Sequence, residues 1–577
     1  MKHVILCAIN ATYSHSSLSL LCLEHASEYR PDTLEFTIND SVSSIVHAIA
    51  ARRPDAVCFS CYIWNIDAVL RAASSIKRIL PGCFILLGGP EVSYGREQLM
   101  RANPFIDMIL AGPGEIPFAH FMQRFIHTPS SLTACWGPRI KGCSLADTPS
   151  ACIRSGEDII TTTPAPDYDM NEAPFLYGDL GRFKNKIVYY ETSRGCPFAC
   201  AYCLSAGTGV SFLSTERVKY ELEHFIKSGV RQVKLVDRTF NYPPARAKEI
   251  IKTLLTLSEK YPDSQTNFHF EIAPSLLDSE TLALLRSAKK GLIRLEAGIQ
   301  STNSDTLRAV NRGACTPQLL ENLKALCGMD NIRVHVDLIA GLPHESYGMF
   351  ASSFNDAYGL KPTELQLGFL KLLKGSPLRA NAADYGIVCT DHAPYEVLFT
   401  NDISFMELST LHLIEKTLGM LYNSGLCLTA LEHIVPHFAS PFAFFEEFAL
   451  FLDGEGWFSQ PHKTKALFEL IYSFASSHGC PGGEITEALA FDWLCIEKPR
   501  TWPEFLEGWA ESGRTQLRAF LSDTDNISAY LPAYARLSPG EISRRCFAHT
   551  FSGLFPGKTL LFDYGKHRGD DGFFQVI

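Results

Sequence analysis

KIVYYETSRGCPFACAYCLS, residues 186–205, decides how this chain is read. An apolar, β-branched and aromatic run (187–190) leads into polar residues and then cysteines at 196, 200 and 203. With the helix-like ERVKYELEHFIKSG that follows (216–229), the pattern predicts a strand, a loop and a helix. The spacing C-x3-C-x2-C puts three thiols, Cys196, Cys200 and Cys203, on that one loop. Three thiolates can hold three irons of a four-iron, four-sulfur (4Fe-4S) cubane and leave the fourth iron without a protein ligand. A structural zinc site is the plainer alternative, but zinc takes four ligands and the loop offers three.

Downstream, VKLVDRTF, FHFEIAP, LIRLEAGIQ, VHVDLIAGLP and LQLGFLKLL alternate with amphipathic stretches. Six strands alternating with helices predict a partial (β/α)6 barrel over 186–385, with its active face at the strands' C-terminal ends. In this setting Cys196, Cys200 and the pair Tyr202-Cys203 resemble the signature of the radical S-adenosylmethionine (SAM) superfamily. The resemblance implies that SAM chelates the open iron and is cleaved by one electron to a carbon radical. EIAP (271–274), GIQS (298–301), NR (311–312) and DLIAGLP (337–343) are similar to segments of the oxygen-independent coproporphyrinogen oxidase branch. By that similarity Glu271 and Asp337 bind the SAM ribose, Gln300 and Arg312 hold its polar groups, and the backbone around Tyr202 reads adenine. The residue types suit these roles, since carboxylates accept from hydroxyls and a guanidinium pairs with a carboxylate. The bland alternatives are a helix cap for a carboxylate and a solvated surface charge for Arg312. Asp237 and Asn241, in DRTFN, are expected near the same cofactor. No Gly-Gly-Glu follows that strand, so the usual contact with the methionine amine stays unassigned.

Upstream, residues 1–125 alternate short apolar runs with amphipathic stretches, which predicts a doubly wound α/β domain. Polar and small residues follow its strands: Asn10, Thr12, His15 and Ser16; Ser60 and Trp64; Gly88, Gly89 and Glu91; Glu115. In open parallel sheets, ligands bind beyond these strand ends. NATYSHSSLSL (10–20), SCYIWN (60–65) and LLGGPEVS (86–93) resemble the cobalamin-binding (class B) group of radical SAM enzymes, with a Rossmann-like domain ahead of the barrel. The resemblance implies cobalamin as a third cofactor, bound at these strand-end residues. The D-x-H-x-x-G signature is absent, so His15 is the candidate lower cobalt ligand, with a plain hydrogen-bonding role as the alternative. Gly112-Pro113-Gly114-Glu115 departs from the Gly-Glu-Gly-Glu common in that group. A scaffold without ligand, or one that binds a nucleotide, is the plainer reading of the domain.

Residues 126–185 lose periodicity and are rich in Thr, Pro, Ser and Gly, so a linker segment is expected. Residues 390–577 predict a mainly α-helical domain crowded with aromatics, similar to an uncharacterised module of one subgroup of these enzymes. It is expected to cap the barrel or to recognise substrate. Most of its Phe and Trp residues belong in a core.

The chain has 577 residues, 46% hydrophobic and 20% charged, with net charge -10. That balance argues against general nucleic-acid binding, and no run is long and apolar enough for a membrane helix. The eighteen scattered cysteines predict reduced thiols and a cytoplasmic protein, with Cys7, Cys58, Cys61 and Cys83 packed as core residues. The resemblance implies a methyltransferase acting at an unactivated carbon through a 5'-deoxyadenosyl radical and methylcobalamin. Its rivals are cyclisation or rearrangement without methyl transfer, and an iron-sulfur redox sensor. Electrons are expected from an external flavodoxin or ferredoxin. Nothing in the sequence names the substrate.

Overall fold

The computed structural model describes residues 2–127, 145–496, 498–556, 558–565 and 575–576. At the N-terminus β1 (Val4–Asn10), β2 (Asp32–Thr37), β3 (Ala56–Ser60), β4 (Phe84–Gly88) and β5 (Met108–Leu110) run parallel in the order β2-β1-β3-β4-β5. The period of two sorts β1 between two cores. Ile5, Cys7 and Ile9 pack with Ile45, Ile49, Val69 and Ile76 on one face, and Val4, Leu6 and Ala8 with Phe118, Phe121 and Phe125 on the other. Because both faces are covered, these strands read as continuous apolar runs. Cys7, Cys58, Cys61 and Cys83 are buried in these cores, and burial pushes their thiols up.

The expected linker is partly sheet. β6 (Ala151–Ser155) and β7 (Asp158–Thr161) extend the same sheet antiparallel from β5. The β-branched content of this tract outweighs its Ser and Pro neighbours. Residues 128–144 of the expected linker lie outside the described residues.

Next come β8 (Ile187–Tyr190), a two-residue pair β9 (Ser193–Arg194) and β10 (Ser211–Phe212), β11 (Gln232–Leu235), β12 (Asn267–Ile272), β13 (Ile293–Gln300), β14 (Arg333–Ala340) and β15 (Glu364–Phe369). β8 and β11–β15 make six strands alternating with helices, as expected. The chain divides into two compact units. The first, Met1–Val334 with Gly341–Glu345 and Phe369–Asp402, holds the N-terminal sheet and the parallel series β8, β11, β12, β13. The outer edge of β8 is not left bare: the Ile187 amide donates to the Ser14 carbonyl at 2.7 Å, and Ser16 Oγ donates to the Ile187 carbonyl at 2.7 Å. The turn after β1 thus covers an edge that would otherwise offer unpaired backbone groups. A small hairpin, β16 (Val388–Cys389) and β17 (Val397–Phe399), belongs to this unit as well.

The second unit contains His335–Ala340, Ser346–Gly368 and Ile403–Ile577. It is mainly helical, and its Phe442, Phe444, Phe445, Phe448, Phe468 and Phe474 are buried, so the aromatic crowding is core. A feature the sequence did not suggest ends it, the antiparallel strands β18 (Cys546–Phe551), β19 (Lys558–Asp563) and β20 (Gln575–Val576). Among the described residues no helix is long and apolar enough to cross a membrane.

Within this unit Asp492 is buried and accepts from the Ala430 amide at 2.8 Å and the Thr429 amide at 3.2 Å, capping the helix Leu428–Ile434. Burial raises its carboxyl from 3.8 to about 7, against the pull of those amides. Between these values the folded chain holds a proton that the unfolded chain has lost, so this group's contribution to stability is lost as pH rises through 7. In thermal melts the midpoint of the wild type minus that of Asp492→Asn will fall as pH goes from about 5.5 to about 8.5. A gap independent of pH would contradict this.

Candidate active site

The cysteine loop leaves the C-terminal end of β8 and hangs from Asp237, the buried residue just beyond β11. Its carboxylate accepts from the Thr192 amide at 2.7 Å and the Ser193 amide at 3.0 Å, and also from the Thr192 hydroxyl. Burial raises this carboxyl to about 6 despite those donors. β9 and β10 then close the loop, Arg194 opposite Ser211. Gly195 between them has φ +105, and a Cβ there would lie 2.0 Å from the Gly209 carbonyl oxygen, so no side chain fits.

Cys200 is buried, while Cys196 and Cys203 are partly exposed. Arg312 Nη1 donates to Cys200 Sγ at 3.5 Å and to the Tyr202 hydroxyl at 3.1 Å, and Nη2 donates to the Gly298 carbonyl. The Ser205 amide donates to Cys203 Sγ at 3.4 Å, and Thr239 Oγ1 lies 3.5 Å from Cys196 Sγ. Each sulfur therefore has a polar hydrogen-bonding group beside it, the kind of contact that adjusts a cluster's potential.

Gln300 ends β13 at φ +73, a left-handed conformation that non-glycine residues avoid. Its Oε1 is buried without a hydrogen-bond partner. Leaving such an acceptor unpaired costs about 1–3 kcal/mol, so the site is built for a donor that a ligand brings. Gly298 makes room: a Cβ there would lie 2.2 Å from Gln300 Nε2 and 3.4 Å from Arg312 Nη2. Glu271, on β12, lies 3.9 Å from Lys234 Nζ, which also pairs with Glu296 at 3.1 Å. In the second unit His335 Nε2 is 2.8 Å from Asp337 Oδ1.

The structure gives several of the expected site residues partners within the chain. Asp237 positions the cysteine loop, its carboxylate accepting from Thr192 and Ser193. Asn241 clamps the Ala273 backbone, donating to its carbonyl at 2.9 Å and accepting from its amide at 2.8 Å. Arg312 is engaged with Cys200, Tyr202 and Gly298, so its guanidinium is not a free fork. At the N-terminal sheet, His15 Nδ1 is 2.5 Å from the Tyr189 hydroxyl, which makes it a hydrogen-bonding residue, and burial with the Lys234 charge lowers its pKa. Ser16 is spent on Ile187. Asn10 donates to Glu35 at 2.9 Å, and the Thr12 hydroxyl lies 2.8 Å from that of Ser14. Glu91 is buried against Lys374 Nζ at 2.7 Å and the Tyr395 hydroxyl at 2.6 Å. Glu115 is buried against Arg194 Nη2 at 2.8 Å, and the same guanidinium pairs with Glu191. Sequence reasoning missed Arg194, Thr239, Lys374 and Tyr395, whose roles depend on partners distant in the chain.

The remaining strand-end groups stay available. Trp64 is 48% exposed, stacks on Tyr62 at 4.4 Å between ring centroids and donates to the Ile9 carbonyl. Ser60 Oγ is buried without a partner. Gly89, at φ +113, lies so near Cys61 that a Cβ would meet its carbonyl oxygen at 2.5 Å.

Three family models match in series: the B12 binding domain over residues 15–122, the Radical SAM superfamily over 190–357, and a protein of unknown function (DUF4080) over 383–555. The chain thus carries a B12 binding domain followed by a Radical SAM domain. It is 26% identical over 330 residues to 2-(S-pantetheinyl)-carbapenam-3-carboxylate methyltransferase of Streptantibioticus cattleyicolor. It is 23% identical over 329 residues to the cobalamin-dependent radical SAM methyltransferase TokK of Streptomyces tokunonensis. Both alignments cover 53% of this chain and 44% of the relative, so the chain spans under half the length of the curated relatives it matches. The solved structure of the cobalamin-dependent S-adenosylmethionine radical enzyme OxsB with aqua-cobalamin and S-adenosylmethionine bound shares the fold, with 15% identity and TM-score 0.54. It covers 85% of this chain and 79% of that one.

These domains imply a 4Fe-4S cluster, SAM and cobalamin as cofactors. The residues fit them. A radical SAM cluster needs three thiols on one loop, and SAM brings an amine and hydroxyls that can donate to the orphaned Gln300 Oε1. The exposed Trp64 face offers a surface on which a large planar ring can lie, and Ser60 Oγ is buried without a partner.

Two outcomes follow from this geometry. Asp237→Ala will lose iron after anaerobic reconstitution while the circular dichroism of the fold persists; full iron retention would show that the loop does not depend on it. Gln300→Ala will bind SAM about tenfold more weakly in equilibrium dialysis of the reconstituted protein, the worth of one hydrogen bond to a charged ligand. Unchanged affinity would remove Gln300 from the site.

Proposed function

We propose that this radical SAM protein is a cobalamin-dependent methyltransferase acting at an unactivated carbon. The observation that carries this reading is the B12 binding domain ahead of the Radical SAM domain, with the Arg194–Glu115 pair joining the cysteine loop to the first domain within one compact unit. The names of the matched relatives support it, although they speak for those proteins. When bound, the cluster supplies one-electron cleavage of SAM and the corrin supplies a methyl carrier.

The chain's own part is placement. Cys196, Cys200 and Cys203 hold the cluster, and Arg312 keeps Cys200 and Tyr202 together. Gln300 and Glu271 hold the polar groups of SAM. Trp64, Ser60, Gly88 and Gly89 receive the corrin. A site of this kind must exclude water, because a carbon radical attacks whatever lies nearest. Electrons come from a flavodoxin or ferredoxin. We place the protein in the cytoplasm, where its free thiols are stable.

Anaerobic reconstitution with iron, sulfide and hydroxocobalamin will yield about four irons and one corrin per chain. It will also give reductive release of 5'-deoxyadenosine that Cys200→Ala abolishes. Cleavage by a protein that binds no corrin would rule out the methylcobalamin mechanism. A complete cluster without SAM cleavage would point to a sensor. A product of unchanged mass, once a substrate is found, would point to rearrangement.

A further inference from the structure

Residues 358–382 lie between the matched families, and within that gap Lys374 reaches back to the first domain. We propose that Lys374 is a positioning residue for the corrin, acting through Glu91 to lock the Gly88–Glu91 loop in register with the cysteine loop. This rests on the corrin-binding reading above.

Glu91 is 5% exposed, at the end of the loop whose glycines border the corrin space. A buried carboxylate needs a partner, and both of its partners come from residues 369–402: Lys374 at 2.7 Å and the Tyr395 hydroxyl at 2.6 Å. Lys374 Nζ and the Arg379 guanidinium lie over the Tyr395 ring, 5.1 and 4.7 Å from its centroid. Next to Lys374, Gly375 has φ +85, and a Cβ there would lie 2.3 Å from the ring of Tyr94, three residues beyond Glu91. The same segment reaches the cysteine loop: the Leu378 amide donates to the carbonyl of Ala201, between Cys200 and Tyr202, at 2.8 Å.

The segment is stiff enough to carry register. The Leu372 amide donates to the Tyr395 carbonyl at 3.0 Å and the Val397 amide to the Leu370 carbonyl at 2.9 Å, so its two limbs brace each other. Only three residues separate the Glu91 partner, Lys374, from the Ala201 partner, Leu378. Removing the ammonium leaves a buried carboxylate with the Tyr395 hydroxyl but no countercharge, and the loop must open to hydrate it. The corrin loop then loses its fixed position, while the thiols, held by Asp237 and Arg312, keep theirs.

The test uses the full chain with its cluster reconstituted, comparing wild type, Lys374→Met, Glu91→Gln, the double variant and Lys374→Arg. Hydroxocobalamin affinity is read by absorbance titration, the cob(II)alamin environment by electron paramagnetic resonance, and the cluster by iron content and its own resonance. Lys374→Met will bind corrin at least about tenfold more weakly, with a broadened cob(II)alamin signal and an unchanged cluster. The double variant will lose little beyond Lys374→Met, and Lys374→Arg will recover most of the affinity. Wild-type affinity and spectrum in Lys374→Met would overturn the proposal, and so would additive losses in the double variant. If Lys374→Met fails to fold, Tyr395→Phe decides: a loss of about threefold is expected from one missing hydrogen bond, and no loss overturns. A wild-type protein that binds no corrin overturns the proposed function and this inference together.

Discussion

The grip of one buried carboxylate on two successive residues is the constraint on which this site is built. Asp237 sits in the interior beyond β11 and binds the amides of Thr192 and Ser193, where the chain turns out of β8 toward the cysteines. A charge there is costly unless its lone pairs are filled, and the carboxyl near 6 shows that burial outweighs the donors. The cost is tolerated because it orients the loop. With Gly195 pressed against Gly209 and β9 paired to β10, the three thiols leave the barrel along one path.

The joints between the B12-binding domain and the barrel strands are built on the same principle. Glu91 and Glu115 stand at strand ends where a ligand site is expected, yet both are buried and paired to cations from the barrel side. An exposed ion pair contributes about 0–1 kcal/mol, whereas breaking a buried one costs about 3–5 kcal/mol. These pairs therefore act as pins. Around them the turn after β1 completes the β8 edge and His15 meets Tyr189, so the two halves of the first unit share backbone as well as side-chain contacts. The groups left free at these strand ends are a half-exposed indole, a hydroxyl and two glycines, which suits a broad uncharged ligand surface better than a charged one.

The second unit has a different logic. Its aromatic residues fill an interior of packed helices, and Asp492 spends a buried carboxylate on a helix terminus. Its long aromatic stretch is accounted for by packing.

The cysteine trio, the alternating strands and the small residues after β4 were legible in the sequence because each depends on neighbours within a few residues. Ligand spacing, a period of two, and glycine at a close approach are local properties. The strands at Ala151–Ser155 and Asp158–Thr161 were hidden because their partner, β5, lies some forty residues earlier and supplies the pairing that the tract does not announce. The same holds for function. That Glu91, Glu115, Asp237 and His15 are polar and lie at strand ends is local information. Whether each faces a cofactor or a buried partner was decided by Lys374, Arg194, Thr192 and Tyr189, which the fold brings from as far as 283 residues away. The chemistry of the cluster could be read from one loop, while the placement of the groups around it came only from tertiary contacts, because a buried charge takes whichever partner the packing brings within reach.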